Sequence, residues 1–120
     1  MRGRILVAGF ATRHVAQSAH RAGYTVYAVD HFCDQDLAWY TEDCLAFDEL
    51  DELPEKIAEL AARRPVDALV VTSGAETIGT TIPLCGTSPK KVERFLDKLE
   101  IQRFFEGLDI PVPPLAGVEE

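Results

Sequence analysis

Three short segments carry the residue types that could do chemistry. Gly9-Phe10-Ala11-Thr12-Arg13 reads as a strand-to-helix turn. Such a turn aims backbone N–H groups and the positive end of a helix at whatever lies before it, and Arg13 adds a forked cation, so an anion is the expected guest. The turn is not the dinucleotide fingerprint G-x-G-x-x-G. Ala11 and His14 stand where the second and third glycines would let the backbone close on a pyrophosphate. A tight turn with a surface arginine is the structural alternative. Asp30 follows Gly9 by 21 residues, the place where dinucleotide folds keep a ribose-binding acid; without the glycines, a plain loop aspartate is an equally good reading. In Thr72-Ser73-Gly74-Ala75-Glu76 the glycine permits close backbone approach to a ligand and Glu76 offers an acceptor for an amine or hydroxyl. Its alternative is a β-turn ahead of a helix-start glutamate. The three histidines, His14, His20 and His31, have no metal-ligand spacing, and no residue is assigned a catalytic or metal-binding role.

The elements that must position these segments alternate. Residues 4–9 form a short apolar run ended by glycine, read as a buried strand. Thr12 is placed to cap a helix whose apolar face is Val15, Ala16, Ala19 and Ala22, with Gly23 as its stop. Residues 25–29 are a second strand, 44–47 a very short third, and 66–72 a fourth; Pro54 opens a helix between the last two. Residues 82–86 are a candidate fifth strand, held to an edge because Pro83 cannot donate to a ladder. Continuously apolar strands alternating with helices predict an α/β, Rossmann-like three-layer domain. Its sheet is mostly parallel, of four to five strands, with helices on both faces. Ligands of such folds sit beyond the carboxyl ends of the strands. The turn at 9–13 should therefore lie beside 73–76 in one shallow cleft.

Composition excludes several classes. The chain has 120 residues, 47% hydrophobic and 27% charged, the profile of one globular domain rather than a disordered segment. Its net charge of −8 repels phosphate backbones, so nucleic acid is not an expected partner. No apolar run is long enough for a membrane span, and the first residues enter a strand with no room for a signal peptide. The cysteines Cys33, Cys44 and Cys85 are odd in number and form no CxxC pair, so neither a disulfide framework nor a structural zinc site is expected, and a reducing cytoplasm fits best. Charge is uneven: +4 over residues 1–29, −10 over 30–59 and −2 over 60–120. The positive opening again marks 9–13 as the place for an anion.

The last third departs from the alternation. Ser88 and Pro89 start a helix with Val92, Phe95, Leu96 and Leu99 on one face. Ile101, Phe104, Phe105 and Leu108 form a second stripe pointing nearly the opposite way. Two helices broken near residues 99–100 account for this. Beyond Gly107 the run Ile110-Pro111-Val112-Pro113-Pro114 is extended and helix-free, and is read as a linker to a further domain.

Gly86-Thr87-Ser88-Pro89-Lys90-Lys91, then Asp97-Lys98, then Gly107-Leu108-Asp109-Ile110-Pro111-Val112-Pro113 resembles the end of the N-terminal domain of ATP-grasp enzymes, where the pattern is G-x-S-P, D-K, a helix and G-I-P-x-P. With 9–13, Asp30 and 73–76, the chain looks most like the branch of predicted ATP-dependent carboligases, over nearly its whole length. The resemblance implies a pre-ATP-grasp domain over residues 1–107 and the start of a linker to an ATP-grasp domain over 108–120. It implies a role in binding a small carboxylate or amine substrate, in a ligase that works through an acyl phosphate. ATP and Mg2+ would serve the full-length protein, with none expected on this chain alone, which would be inactive by itself. The lysine of the D-K pair, Lys98, would contact ATP phosphate. Gly9, Phe10, Ala11, Thr12, Arg13, Asp30, Ser73, Gly74, Ala75 and Glu76 are the substrate-site candidates. Partners would be the later domain, the substrate and, where the domain dimerises, a second copy. Two departures stand out: Asp109 where a glycine is common, and a stretch between Glu76 and Gly86 too short for the long helix many members place there. The competing readings are a nucleotide-sensing Rossmann module, a flavodoxin-like receiver, which lacks acids at the end of its first strand, and a stand-alone interaction domain.

Overall fold

The computed structural model describes residues 2–93 and 95–114. The chain runs β1 (Arg4–Gly9), α1 (Arg13–Arg21), β2 (Thr25–Asp30), α2 (Gln35–Ala38), β3 (Asp43–Ala46), a 3-10 turn (Leu50–Glu52), α3 (Leu53–Arg63), β4 (Ala68–Val71), α4 (Pro89–Glu93) and α5 (Lys98–Gly107). The four strands pair in parallel in the order β3-β2-β1-β4. Because β1 is central, Gly9 lies opposite Asp30 on one side, while Ala8 lies opposite Val71 on the other.

Alternation along the strands builds two cores. Leu6, Ala8, Tyr27, Val29 and Leu69 face α3 and meet Leu53, Ile57 and Leu60. Val7, Val26 and Ala28 face the other way and meet Ala16 of α1 and Leu37 of α2. Helices thus cover both faces, the α/β three-layer Rossmann-like arrangement the pattern predicts. Among the described residues no helix is long and apolar enough to cross a membrane.

Several local expectations are corrected. Residues 82–86 add no full strand, only one parallel bridge from Leu84 to Leu69, made by Leu69 N donating to Pro83 O (2.9 Å) and Cys85 N donating to Leu69 O (2.8 Å). Thr12 stands at the N-cap of α1 without capping it, because its hydroxyl is committed elsewhere. The break between the late helices falls between Glu93 and Lys98 rather than at 99–100, since Asp97 caps α5 by accepting from Leu99 N. Residues 115–120 of the expected linker lie outside the described residues.

The main correction concerns cysteine. Cys33 and Cys44 form a disulfide, contrary to the expectation from their number and spacing. α2 is a single turn, capped by Asp34 accepting from Leu37 N. It doubles the chain back so that β3 can pair with β2, and the two cysteines meet 6.2 Å apart at Cα. Closing a loop of this length is worth roughly 3 kcal/mol. Cys33→Ser with Cys44→Ser, or reduction, should lower unfolding stability by about that amount in urea; an unchanged midpoint would show that the bond is absent in solution.

Ahead of α3, Glu52 accepts from Asp48 N (2.7 Å) and Glu49 N (3.2 Å) in a capping box. These backbone donors, helped by Lys56, hold its carboxyl below the ordinary glutamate range. The folded state therefore binds fewer protons than the unfolded chain, and the stabilisation exists above the ordinary value and disappears as pH falls through the lowered one. Glu52→Gln should flatten the acid limb of a stability–pH curve; an unchanged limb contradicts the box.

Candidate functional site at the carboxyl edge of the sheet

The three chemistry-bearing loops leave β1, β2 and β4 at the same edge, and hydrogen bonds lock them together. On the β4 side, Phe10 N donates to Ser73 O (2.8 Å) and Thr72 Oγ1 donates to Ala11 O (3.0 Å). On the β2 side, His31 N donates to Phe10 O (3.2 Å). The centre of the lock is Asp30, only 3% exposed. Its Oδ2 accepts from both Thr12 N and Thr12 Oγ1 at 2.7 Å. Its Oδ1 accepts from Phe32 N (2.7 Å) and Cys33 N (3.1 Å).

The sequence-predicted residues thus come together but divide into two kinds. Gly9, Thr12, Asp30 and Ala75 are buried and shape the edge. A Cβ on Gly9 would collide with Thr72 Oγ1 and press on the Thr72 backbone, so the glycine is there to let β1 and β4 close on each other. Gly74 has φ +87° and packs under Leu50. Phe10, Ala11, Arg13 and Ser73 are exposed. Glu76 turns both oxygens onto Gly74 N at 3.1 Å and so fixes its own loop. Arg13 stands at the start of α1, a helix with no acid in its first turn. Its guanidinium lies 3.9 Å from Asp36, both side chains more than half exposed, a contact weak enough to yield to a ligand. Lys98 is not part of this group: it is the exposed first residue of α5, a helix that packs little on the sheet.

Sequence reasoning missed an aromatic surface beside the loops. Phe10 stacks on His31 (centroids 4.5 Å, planes 12° apart), and Phe32 meets both edge-on. Phe47 closes the cluster from below. Phe10 and Phe32 remain 39% and 58% exposed. His31 Nδ1 is buried with no hydrogen-bond partner among the described residues. The signal was the register: if Gly9 opposes Asp30 in parallel, the residues after each must lie side by side. A hollow of about 230 Å³ elsewhere, between α3 and residues 79–82, is lined by Ile57, Ala58, Ala61 and Ile82 and holds no titratable side chain. The candidate residues lie on the shallow edge instead.

No family model matches the chain. An uncharacterized protein of Methanocaldococcus jannaschii is 28% identical over 123 residues, covering 92% of this chain and 32% of that protein. Among solved structures, N5-carboxyaminoimidazole ribonucleotide synthetase from Thermotoga maritima aligns with TM-score 0.62 and 18% identity, over 93% of this chain and 32% of that one. The Staphylococcus aureus N5-carboxyaminoimidazole synthetase, complexed with ADP, aligns with TM-score 0.66 and 17% identity over 100% and 34%. The synthetase from Thermus thermophilus gives 0.61 and 20% over 92% and 31%. The chain shares the fold of about a third of each of these synthetases. The chain spans about a third of the length of the proteins it matches.

Asp30→Asn would turn an NH2 group toward donors it cannot accept from, and should cost roughly 2–4 kcal/mol. Amide exchange at Thr12, Phe32 and Cys33 should accelerate together. Unchanged protection at these three amides would mean that Asp30 does not hold the loops. Gly9→Ala should cost roughly 1–3 kcal/mol through forced separation of β1 and β4, read by urea unfolding; a neutral substitution would contradict the close approach.

Proposed function

We propose that the chain is the N-terminal, substrate-facing domain of an ATP-dependent ligase of the ATP-grasp family, which joins a small carboxylate to an amine or related nucleophile. The observation that carries this reading is the alignment of nearly the whole chain with about a third of several ATP-grasp synthetases, in step with the D-K and I-P-x-P residues of its last third. An ADP complex of one such synthetase supports ATP as the nucleotide of the longer protein. Large apolar side chains left exposed on Leu96, Phe105, Leu108 and Ile110 support a further domain packing there. On this reading residues 1–107 are the domain and 108–120 begin the linker. A cytoplasmic setting goes with it, one in which thiol reductants act on the Cys33–Cys44 bond.

In the reaction, a carboxylate oxygen attacks the γ-phosphorus of ATP and ADP leaves. The amine then attacks the acyl carbon and inorganic phosphate leaves. This chain's residues bind and orient. Arg13 and the start of α1 hold an anionic group, and Phe10 and Phe32 cover a flat or apolar part of the substrate. His31 Nδ1 is a buried polar atom that a substrate group or water satisfies. Lys98, leading α5, reaches an ATP phosphate. Magnesium accompanies ATP in this chemistry. Among the described residues no group of three His, Cys, Asp or Glu is arranged to hold a metal, so no step through it is assigned to this chain.

The test uses the full-length protein with a panel of carboxylates and amines. Steady-state ADP release should require both, and hydroxylamine in place of the amine should trap the activated carboxylate. Lys98→Ala should raise the apparent KM for ATP about ten- to hundredfold, the worth of one charge-assisted hydrogen bond. Arg13→Ala should raise KM for the anionic substrate and leave that for ATP alone. ADP release by the isolated 120-residue chain would overturn the division of labour, and an unaltered ATP dependence would remove the role of Lys98.

A further inference from the structure

A second pocket opens at the other end of the sheet. It is a cavity of about 170 Å³ over the first residues of β2, lined by His20, Tyr24, Trp39, Tyr40, Thr41 and Glu42. Its walls come from the last turn of α1 and from the chain that follows α2. Four of the eight lining residues carry rings, and His20 and Tyr40 meet at 5.7 Å. Trp39 is 63% exposed, a large ring left partly in water at the mouth.

The lining has a definite sign. No lysine or arginine is among its lining residues, Arg21 of the last turn of α1 included, and Glu42 is the one acid among them. The carboxyl end of α1, with its partial negative charge, is at the wall. Aromatic faces attract cations through their quadrupoles, most strongly tryptophan. The domain's −8 charge deepens the potential. An anion finds no lysine or arginine in the lining, whereas a compact organic cation finds rings, an acidic residue and a helix end.

The wall is also held in place. Trp39, Tyr40, Thr41 and Glu42 all lie inside the loop that the Cys33–Cys44 disulfide closes. Tyr40 N donates to Leu37 O (3.0 Å), Thr41 Oγ1 to Leu37 O (3.2 Å) and Glu42 N to Val26 O (2.8 Å). A covalent staple around the ring-bearing segment reduces the freedom it would lose on binding.

We propose that this pocket binds an organic ammonium or guanidinium group, and that the Cys33–Cys44 bond preorganises it. The site is separate from the carboxyl-edge cleft, and its test does not depend on ligase activity. Trp39 is the single tryptophan of the chain, so its fluorescence reports the pocket directly.

The probe is tetramethylammonium chloride, titrated into the purified 120-residue chain. Sodium chloride and the neutral isostere tert-butanol are the controls. A saturable change with the cation alone is expected. Glu42→Gln and Tyr40→Ala should each weaken it about two- to thirtyfold, with urea midpoints showing that both variants remain folded. Reduction with dithiothreitol, or Cys33→Ser with Cys44→Ser, should weaken it several-fold while far-ultraviolet circular dichroism is retained. Comparing tetramethylammonium with Nα-acetyl-lysine amide distinguishes the sources: tighter binding of the first marks a small free amine, and of the second a side chain presented by another protein. No saturable response, or an equal response to tert-butanol, overturns the cation site. Equal affinity in oxidised and reduced protein overturns the role of the disulfide.

Discussion

The buried carboxylate of Asp30 is the interaction on which the site geometry depends. A carboxylate taken out of water is tolerable only if its lone pairs are met, and here four donors meet them. Two come from the loop after β1 and two from the loop after β2. One side chain therefore sets where α1 begins and where the chain turns after β2. The β4 loop is brought in through Thr72 and Ser73, whose backbone and hydroxyl bonds reach the same β1 turn. Positioning three loops this way leaves Asp30 no free oxygen. The residue that resembled a ribose acceptor in sequence is a structural hub in space, and a nucleotide-sensing module would have to do without it.

This is also where the sequence was readable and where it was not. The parallel sheet was legible because its strands are continuously apolar and its helices show one-sided stripes, patterns set by burial that do not depend on tertiary detail. The coming together of 9–13 with 73–76 followed from the same topology. The partner of Thr12 was not legible, because a threonine before a helix satisfies local capping rules whether or not it finds a distant carboxylate. The disulfide was hidden for a related reason. Its spacing fits no short motif, and only the one-turn α2, too short to leave a periodic signature, brings Cys33 and Cys44 together.

The aromatic surface shows an intermediate case. Phe10, His31 and Phe32 are each unremarkable in sequence. They meet because β1 and β2 are in parallel register, so the residues leaving the strands at equal depth must be neighbours. Register is legible once the pairing is assumed, and the cluster then follows without any further fact. What sequence does not carry is the exposure of Phe10 and Phe32.

α1 connects the two ends of the molecule. Its nine residues run from Arg13 at the carboxyl edge of the sheet to His20 and Arg21 at the other end. The backbone dipoles add along that length, so the two ends have opposite partial charge. Arg13 and the acid-free first turn stand at the positive end, while the negative end carries Arg21 and, on the side of the second pocket, rings and Glu42. The disulfide lies between them. Cys33 is held by Asp30, which organises the first site. Cys44 closes the loop that walls the second. The bond thus joins a residue that Asp30 holds to the segment that walls the second pocket.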